Sequence, residues 1–111
     1  MKNRKLRKEE IDMITWIIED TVEGQRIIPT LSEIYVEEMD DGGMGSLKVI
    51  ISGEDTRLYS QELGKEADLL DIDNVPLFIT VNLDTNGDLY ELDVWKGDFS
   101  PLKSFPIVPK R

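Results

Sequence analysis

Between Val75 and Leu83 the chain alternates without a fault. Val75, Leu77, Ile79, Val81 and Leu83 are apolar, and Pro76, Phe78, Thr80, Asn82 and Asp84 are interleaved with them. A period of two over this length is the signature of a strand with one buried face. Asn86-Gly87 follows, the pair preferred in a two-residue type I′ turn, which predicts a hairpin whose return strand runs to Lys96. With those two residues as the loop, Leu83 opposes Tyr90, Val81 opposes Leu92 and Ile79 opposes Val94 on one face. The same register sets Asn82 against Glu91, Thr80 against Asp93 and Phe78 against Trp95 on the other. One side of the hairpin is therefore a core surface. The other is polar and acidic and ends in two aromatic rings.

The remaining elements are arranged around this hairpin. Ile11, Ile14, Ile18 and Val22 recur at helical spacing, widened by Met13, Trp16 and Ile17, which predicts one helix over 7–23. Gly24 stands where such a helix stops, with Pro29 beyond it. Leu31 to Met39 reads as a strand, Asp40 to Gly43 as a turn, and Leu47 to Ile51 as a second strand. Ser52 to Asp55 reads as a loop, Arg57 to Gly64 is ambiguous, and Ala67 to Ile72 reads as a third strand ended by Asp73-Asn74. Pro101, Pro106 and Pro109 exclude helix and central strand from the last residues, predicting an extended, Pro-rich tail over 99–111. The expected architecture is a single α+β domain over 1–111. One N-terminal helix packs on a four- or five-stranded, mainly antiparallel sheet spanning 31–96.

Composition narrows the chemistry. The 111 residues include neither cysteine nor histidine, which removes disulfides, thiolate and Ser-His-Asp catalysis, and Cys- or His-ligated metals. Net charge is −10, unevenly spread. Between Glu9 and Asp98 stand all 23 acids and only five bases, a balance of −18, with +5 before it and +3 after. Such a body repels phosphate backbones, so no nucleic acid is expected as a partner. Residues 1–6 read as a solvated basic tail. No run approaches the roughly 18–20 apolar residues of a membrane span, so no membrane association is expected and the protein is placed in the cytoplasm.

Several clusters invite a functional reading. Asp84 to Asp88 with Glu91 has the wrong spacing for a calcium-binding EF-hand loop, and reads as a turn. Asp71, Asp73, Glu91, Asp93 and Asp98 are carboxylates that a polar face would gather for acid–base or metal chemistry, against a simply solvated acidic face. Gly42 to Ser46 lacks the lysine of a phosphate loop and reads as a flexible connection with exposed amides. Phe78 and Trp95, with Glu91, Asp93 and Lys96 around them, have the composition of an interface core and its rim. These five are the candidate partner-binding residues. No catalytic residue, metal ligand or cofactor is predicted.

Three segments carry a resemblance. Lys5 to Ile18 (KLRKEE followed by ITWII), Asp40 to Leu47 (DDGGMGSL) and Glu91 to Leu102 (ELDVWKGDFSPL) resemble a family of small bacterial proteins known as a domain of unknown function. The resemblance implies no activity. By analogy with small acidic proteins that act as immunity partners of toxins, the expected function is a non-catalytic protein-binding module, with an immunity-type protein that neutralises a basic partner as its specific form. The alternative is a small carboxylate-based metal-binding protein or enzyme, and a homodimer is a further possibility.

Overall fold

A computed structural model describes residues 3–51 and 57–109. The chain is α+β, with a six-stranded antiparallel sheet and two short helices on one face. In chain order the elements are β1 (Asn3–Lys5), α1 (Lys8–Ile18), α2 (Val22–Ile27), a 3₁₀ turn (Ile28–Glu33), β2 (Tyr35–Glu38), β3 (Leu47–Ile50), β4 (Tyr59–Leu70), β5 (Pro76–Asp84) and β6 (Leu89–Lys96). The strands lie in the order β1-β2-β3-β6-β5-β4. The expected loop Ser52 to Asp55 lies outside the described residues, as do the ends of both tails.

The core lies between the helices and the inner sheet face, where Leu77, Ile79, Val81, Leu83, Leu92 and Val94 are buried against Met13, Ile14 and Ile18. The central hairpin keeps the expected register from Asn82–Glu91 through Phe78–Trp95. Its turn differs. Gly87 N–H donates to Asp84 O, Asp84 N–H donates to Asp88 O, and Gly87 has φ 80°, so the loop is Thr85-Asn86-Gly87, three residues rather than two. Leu83 consequently opposes Leu89, not Tyr90. An irregularity next to it restores the alignment further along the strands. The Asp84 carboxylate selects this loop by accepting the N–H groups of Asn86 and Asp88.

The single helix over 7–23 is two helices. Thr21 is extended (φ −109°, ψ 153°), and its Oγ1 accepts Gly24 N–H at 2.9 Å while donating to Ile18 O. That is an N-cap, so the chain restarts a helix where periodicity continues the old one. The change of axis leaves Val22 exposed instead of in the apolar stripe. Gly24 sits within α2 rather than at a helix stop. A Cβ there would stand 1.9 Å from Ile18 O.

The N-terminal residues do not form a free basic tail. Asn3–Lys5 pair with Tyr35–Glu37 as the sheet's edge strand. Arg4 grips the buried Glu10 carboxylate with two nitrogens, at 2.8 and 2.9 Å, and reaches Glu38 as well. Glu10 also accepts Arg7 N–H at 2.7 Å, which fixes the start of α1. The strand expected from Leu31 begins only at Tyr35, after the 3₁₀ turn that Pro29 initiates. β4 is much longer than the Ala67–Ile72 expectation because its pairing with β5 steps through three irregularities that blur the alternation. Among the described residues no helix is long and apolar enough to cross a membrane.

Replacing Gly24 by alanine tests the two-helix junction. Intrinsic helix propensity alone favours alanine by about 1 kcal/mol. The overlap with Ile18 O reverses that sign, and Gly24→Ala is expected to destabilise the fold by about 2 kcal/mol, read as a lower midpoint in urea unfolding.

Candidate functional site

β5 and β6 present alternate side chains to the two faces of the sheet, so the register decides which candidates share a surface. On the outer face, away from the helices, Glu37, Lys48, Glu91, Asn82 and Glu62 lie side by side across five strands. The next row is Asp93, Thr80 and Lys65. Beyond it Trp95 faces Phe78, and past them Leu70 pairs with Pro76. The outer face thus passes from a charged ladder to an apolar end. Phe78 is 43% exposed and Trp95 50%.

A third ring, not among the expected residues, joins this end. Phe99 stacks on Trp95 with ring centroids 5.5 Å apart and planes at 39°, and it is 65% exposed. It stands just past the end of β6, where Phe99 N–H donates to Lys96 O and closes a tight turn. The signal that could have found it is Gly97-Asp98, a turn dipeptide that folds the next residue back over the strand.

Four of the five expected site residues are on the outer face. Glu91 accepts a hydrogen bond from Asn82 Nδ2 at 2.9 Å, and Asp93 accepts one from Ser46 Oγ at 3.1 Å. Lys96 is not on that face. It follows Leu92 and Val94 onto the inner side, opposite Leu77, and has no exposed surface. Its ammonium donates to Asp71 at 2.8 Å, Asp73 at 2.7 Å and Pro101 O at 3.2 Å, which uses all three protons. The alternation that placed Phe78 against Trp95 already places Lys96 inward.

Asp71 is the hub of this interior cluster. Besides Lys96 it accepts the N–H groups of Ile72, Lys103 and Ser104, at 2.6, 2.7 and 3.1 Å. Burial alone would push its pKa up. The Lys103 N–H, the Lys96 ammonium and the other backbone donors outweigh burial and bring it down to about 2. Burial would likewise lower Lys96, but its two carboxylate partners hold it above the ordinary lysine value. The five acids do not gather on one polar face. Asp71 and Asp73 are bound to Lys96, Glu91 and Asp93 line the outer sheet, and Asp98 bonds Ser100 beyond the end of β6.

The glycine-rich segment is equally committed. Asp41 accepts Met44 N–H and Ser46 N–H, so these amides are occupied rather than exposed. Ser46 Oγ accepts Val94 N–H at 2.8 Å and shares its one proton between Asp93 Oδ1 and Val94 O, each at 3.1 Å, extending the β3–β6 seam by a side chain where backbone pairing has ended. Gly43 O accepts Leu102 N–H. A cleft of about 310 Å³ opens beside this junction, with Arg4, Arg7, Glu38 and Phe105 in its walls. Its charges are largely paired with one another, Arg4 with Glu10 and Glu38 above all. Among the described residues no three ligating side chains stand together as a metal site.

The chain belongs to a family described as a domain of unknown function (DUF6984), whose model matches residues 3–106. Neither the curated proteins nor the solved structures contain a match to it.

The Asp71 cluster has a measurable consequence. A carboxylate whose folded pKa lies below its unfolded value stabilises the fold fully above the unfolded value, and that contribution is lost as pH falls through the folded one. Asp71 therefore supports the fold down to about pH 4 and ceases to do so near 2. Asp71→Asn, which breaks a buried pair, is expected to cost about 3 kcal/mol, lowering Tm by about 10 °C at neutral pH. It should also flatten the dependence of unfolding free energy on pH between 4 and 2. An unchanged slope there would show that Asp71 carries no depressed pKa.

Proposed function

We propose that this member of the unknown-function family is a non-catalytic protein-binding module that docks a basic protein on the outer face of its sheet. The observation that carries the reading is the exposed aromatic end of that face, Phe78 and Trp95 with Phe99 stacked beside them. Large apolar groups left open to water on one side and ringed by charge are the makings of an interface core with a polar rim. Aromatic side chains of this kind are the commonest energetic anchors of such contacts.

The charge of the chain selects the partner. Asp93 lies beside Trp95 on the same face, Asp98 lies in the turn that carries Phe99, and the whole chain is at −10. A cationic surface is drawn to this face and a nucleic acid is repelled from it. A second copy brings the same acids and is disfavoured for the same reason. An immunity-type role, in which the module covers and silences a basic protein in the cytoplasm, is the biological form this reading takes. A carboxylate metal site or enzyme has less geometry behind it, because Asp71 and Asp73 are spent on Lys96 and Asp93 receives Ser46.

Tagged protein offered to lysate of its own source, eluted by a salt gradient, supplies the partner, which is then purified for titration. The Kd is expected to weaken about 30-fold with Trp95→Ala, roughly 2 kcal/mol, and to weaken steadily with salt. A complex indifferent both to salt and to Trp95→Ala would overturn the proposal.

A further inference from the structure

Phe99 combines an exposed aromatic ring with a left-handed backbone. It is a bulky side chain with φ 63°, in the left-handed region that disfavours every residue with a Cβ and aromatic ones strongly. Glycine or asparagine would hold the same turn at less cost. The backbone is nevertheless held there, with Phe99 N–H bonded to Lys96 O and with Asp98 Oδ1 accepting both the N–H and the Oγ–H of Ser100. Strain kept at an exposed position points to a use for the side chain that the strain presents. The ring is not buried by its position. It lies 65% open, tilted by 39° against Trp95.

The same turn places a fixed negative charge beside the rings. Both Ser100 donors bond Asp98 Oδ1, which fixes the carboxylate in the turn, and Asp93 stands on the Trp95 side of the pair. Two inclined aromatic faces, with Asp98 in the turn that carries Phe99 and Asp93 next to Trp95 along the sheet face, combine a π-face with anionic charge. A planar, delocalised cation matches both at once, stacking on a ring while donating hydrogen bonds at its edge. Lysine offers a compact, strongly hydrated charge without the plane, and an acidic or neutral side chain meets repulsion or no complement.

We propose that Trp95, Phe99 and Asp98 form a receptor for a single arginine side chain of the partner, with the guanidinium stacked on the ring pair and hydrogen-bonded to Asp98. The inference rests on the reading of the outer face as a protein-docking surface and names the group that surface is built to take. Phe78, Leu70 and Pro76 then form the apolar ground on which the rest of the contact lies. The Ser100 donors hold Asp98 below the usual carboxylate range, so the charge persists in mildly acid solution.

The test uses the full chain and the two indole N–H resonances of Trp16 and Trp95, assigned with Trp95→Phe. Hexa-arginine titrated in is expected to shift the Trp95 signal to saturation and leave that of Trp16 in place. Hexa-lysine should bind at least fivefold more weakly, and hexa-glutamate should not bind. Phe99→Gly relieves the backbone strain as it deletes the ring, so its Tm should equal or exceed that of the parent while hexa-arginine affinity falls at least fivefold. Asp98→Asn should weaken hexa-arginine binding more than hexa-lysine binding. Equal affinity for the two cationic peptides, or hexa-arginine affinity unchanged in Phe99→Gly, would overturn the arginine receptor. The natural partner separates this from failure of the docking surface itself. If its binding is lost with Trp95→Ala but kept with Phe99→Gly, the surface stands and the arginine receptor does not.

Discussion

A lysine ammonium and an aspartate carboxylate, both removed from water, hold this fold at the point where its last three segments meet. Lys96 comes from the end of β6, Asp71 and Asp73 from the turn between β4 and β5, and the Lys103 and Ser104 amides from the segment that follows. Leaving either charge unpaired in such a place is far costlier than the pair itself is stabilising, so the five groups are obliged to stay together. The candidate site depends on this. Anchoring Lys96 inward turns Trp95 outward, because neighbours on a strand face opposite ways. The carbonyl of Lys96 then closes the turn that lifts Phe99 onto Trp95.

The protein's charge has a similar double use. Arg4 secures Glu10 at the start of α1 and draws Glu38 to the edge of the sheet. Lys5, Arg7 and Lys8 each reach an acid as well, at Glu33, Glu38 and Asp12. Arg4 therefore works inside the fold, as the staple of an edge strand too short to hold by its backbone bonds alone, whereas the pairs of Lys5, Arg7 and Lys8 lie on the surface. Glu91 and Asp93 on the outer face, by contrast, take neutral donors, Asn82 and Ser46, which leave their charge uncompensated.

Two of the three segments singled out in the sequence, the glycine-rich turn and the β6 segment, meet in space. Ser46, from the glycine-rich turn, completes the seam along β6 at Val94, and Met44 Sδ receives Lys96 N–H. Both segments thus brace the strand that displays Trp95. The third, the α1 segment, carries Glu10 and the apolar residues that cover the inner face.

The strict alternation from Val75 to Leu83 by itself determined a strand with two unlike faces, while the meeting of Phe78 with Trp95 needed the three-residue turn and the irregularity beside it. A period of two leaves a side chain no choice of face once the core side is chosen. Composition likewise determined the acidity of the body. Other features rest on groups far apart in the chain, and only the tertiary structure decided them. Thr21 ended one helix and began another because its hydroxyl found Ile18 O and Gly24 N–H, against an unbroken helical period. Asn3–Lys5 became a strand because Arg4 met Glu10 and Glu38, although nothing in their own pattern reads as one. Lys96 looked like a rim charge beside Trp95; alternation already turns it inward opposite Leu77, and the return of residues 101–104 over Asp71 supplies the partners that let a charge lie there. Local periodicity reports which way a side chain points. Which charge it meets there is set by chain brought back from a distance.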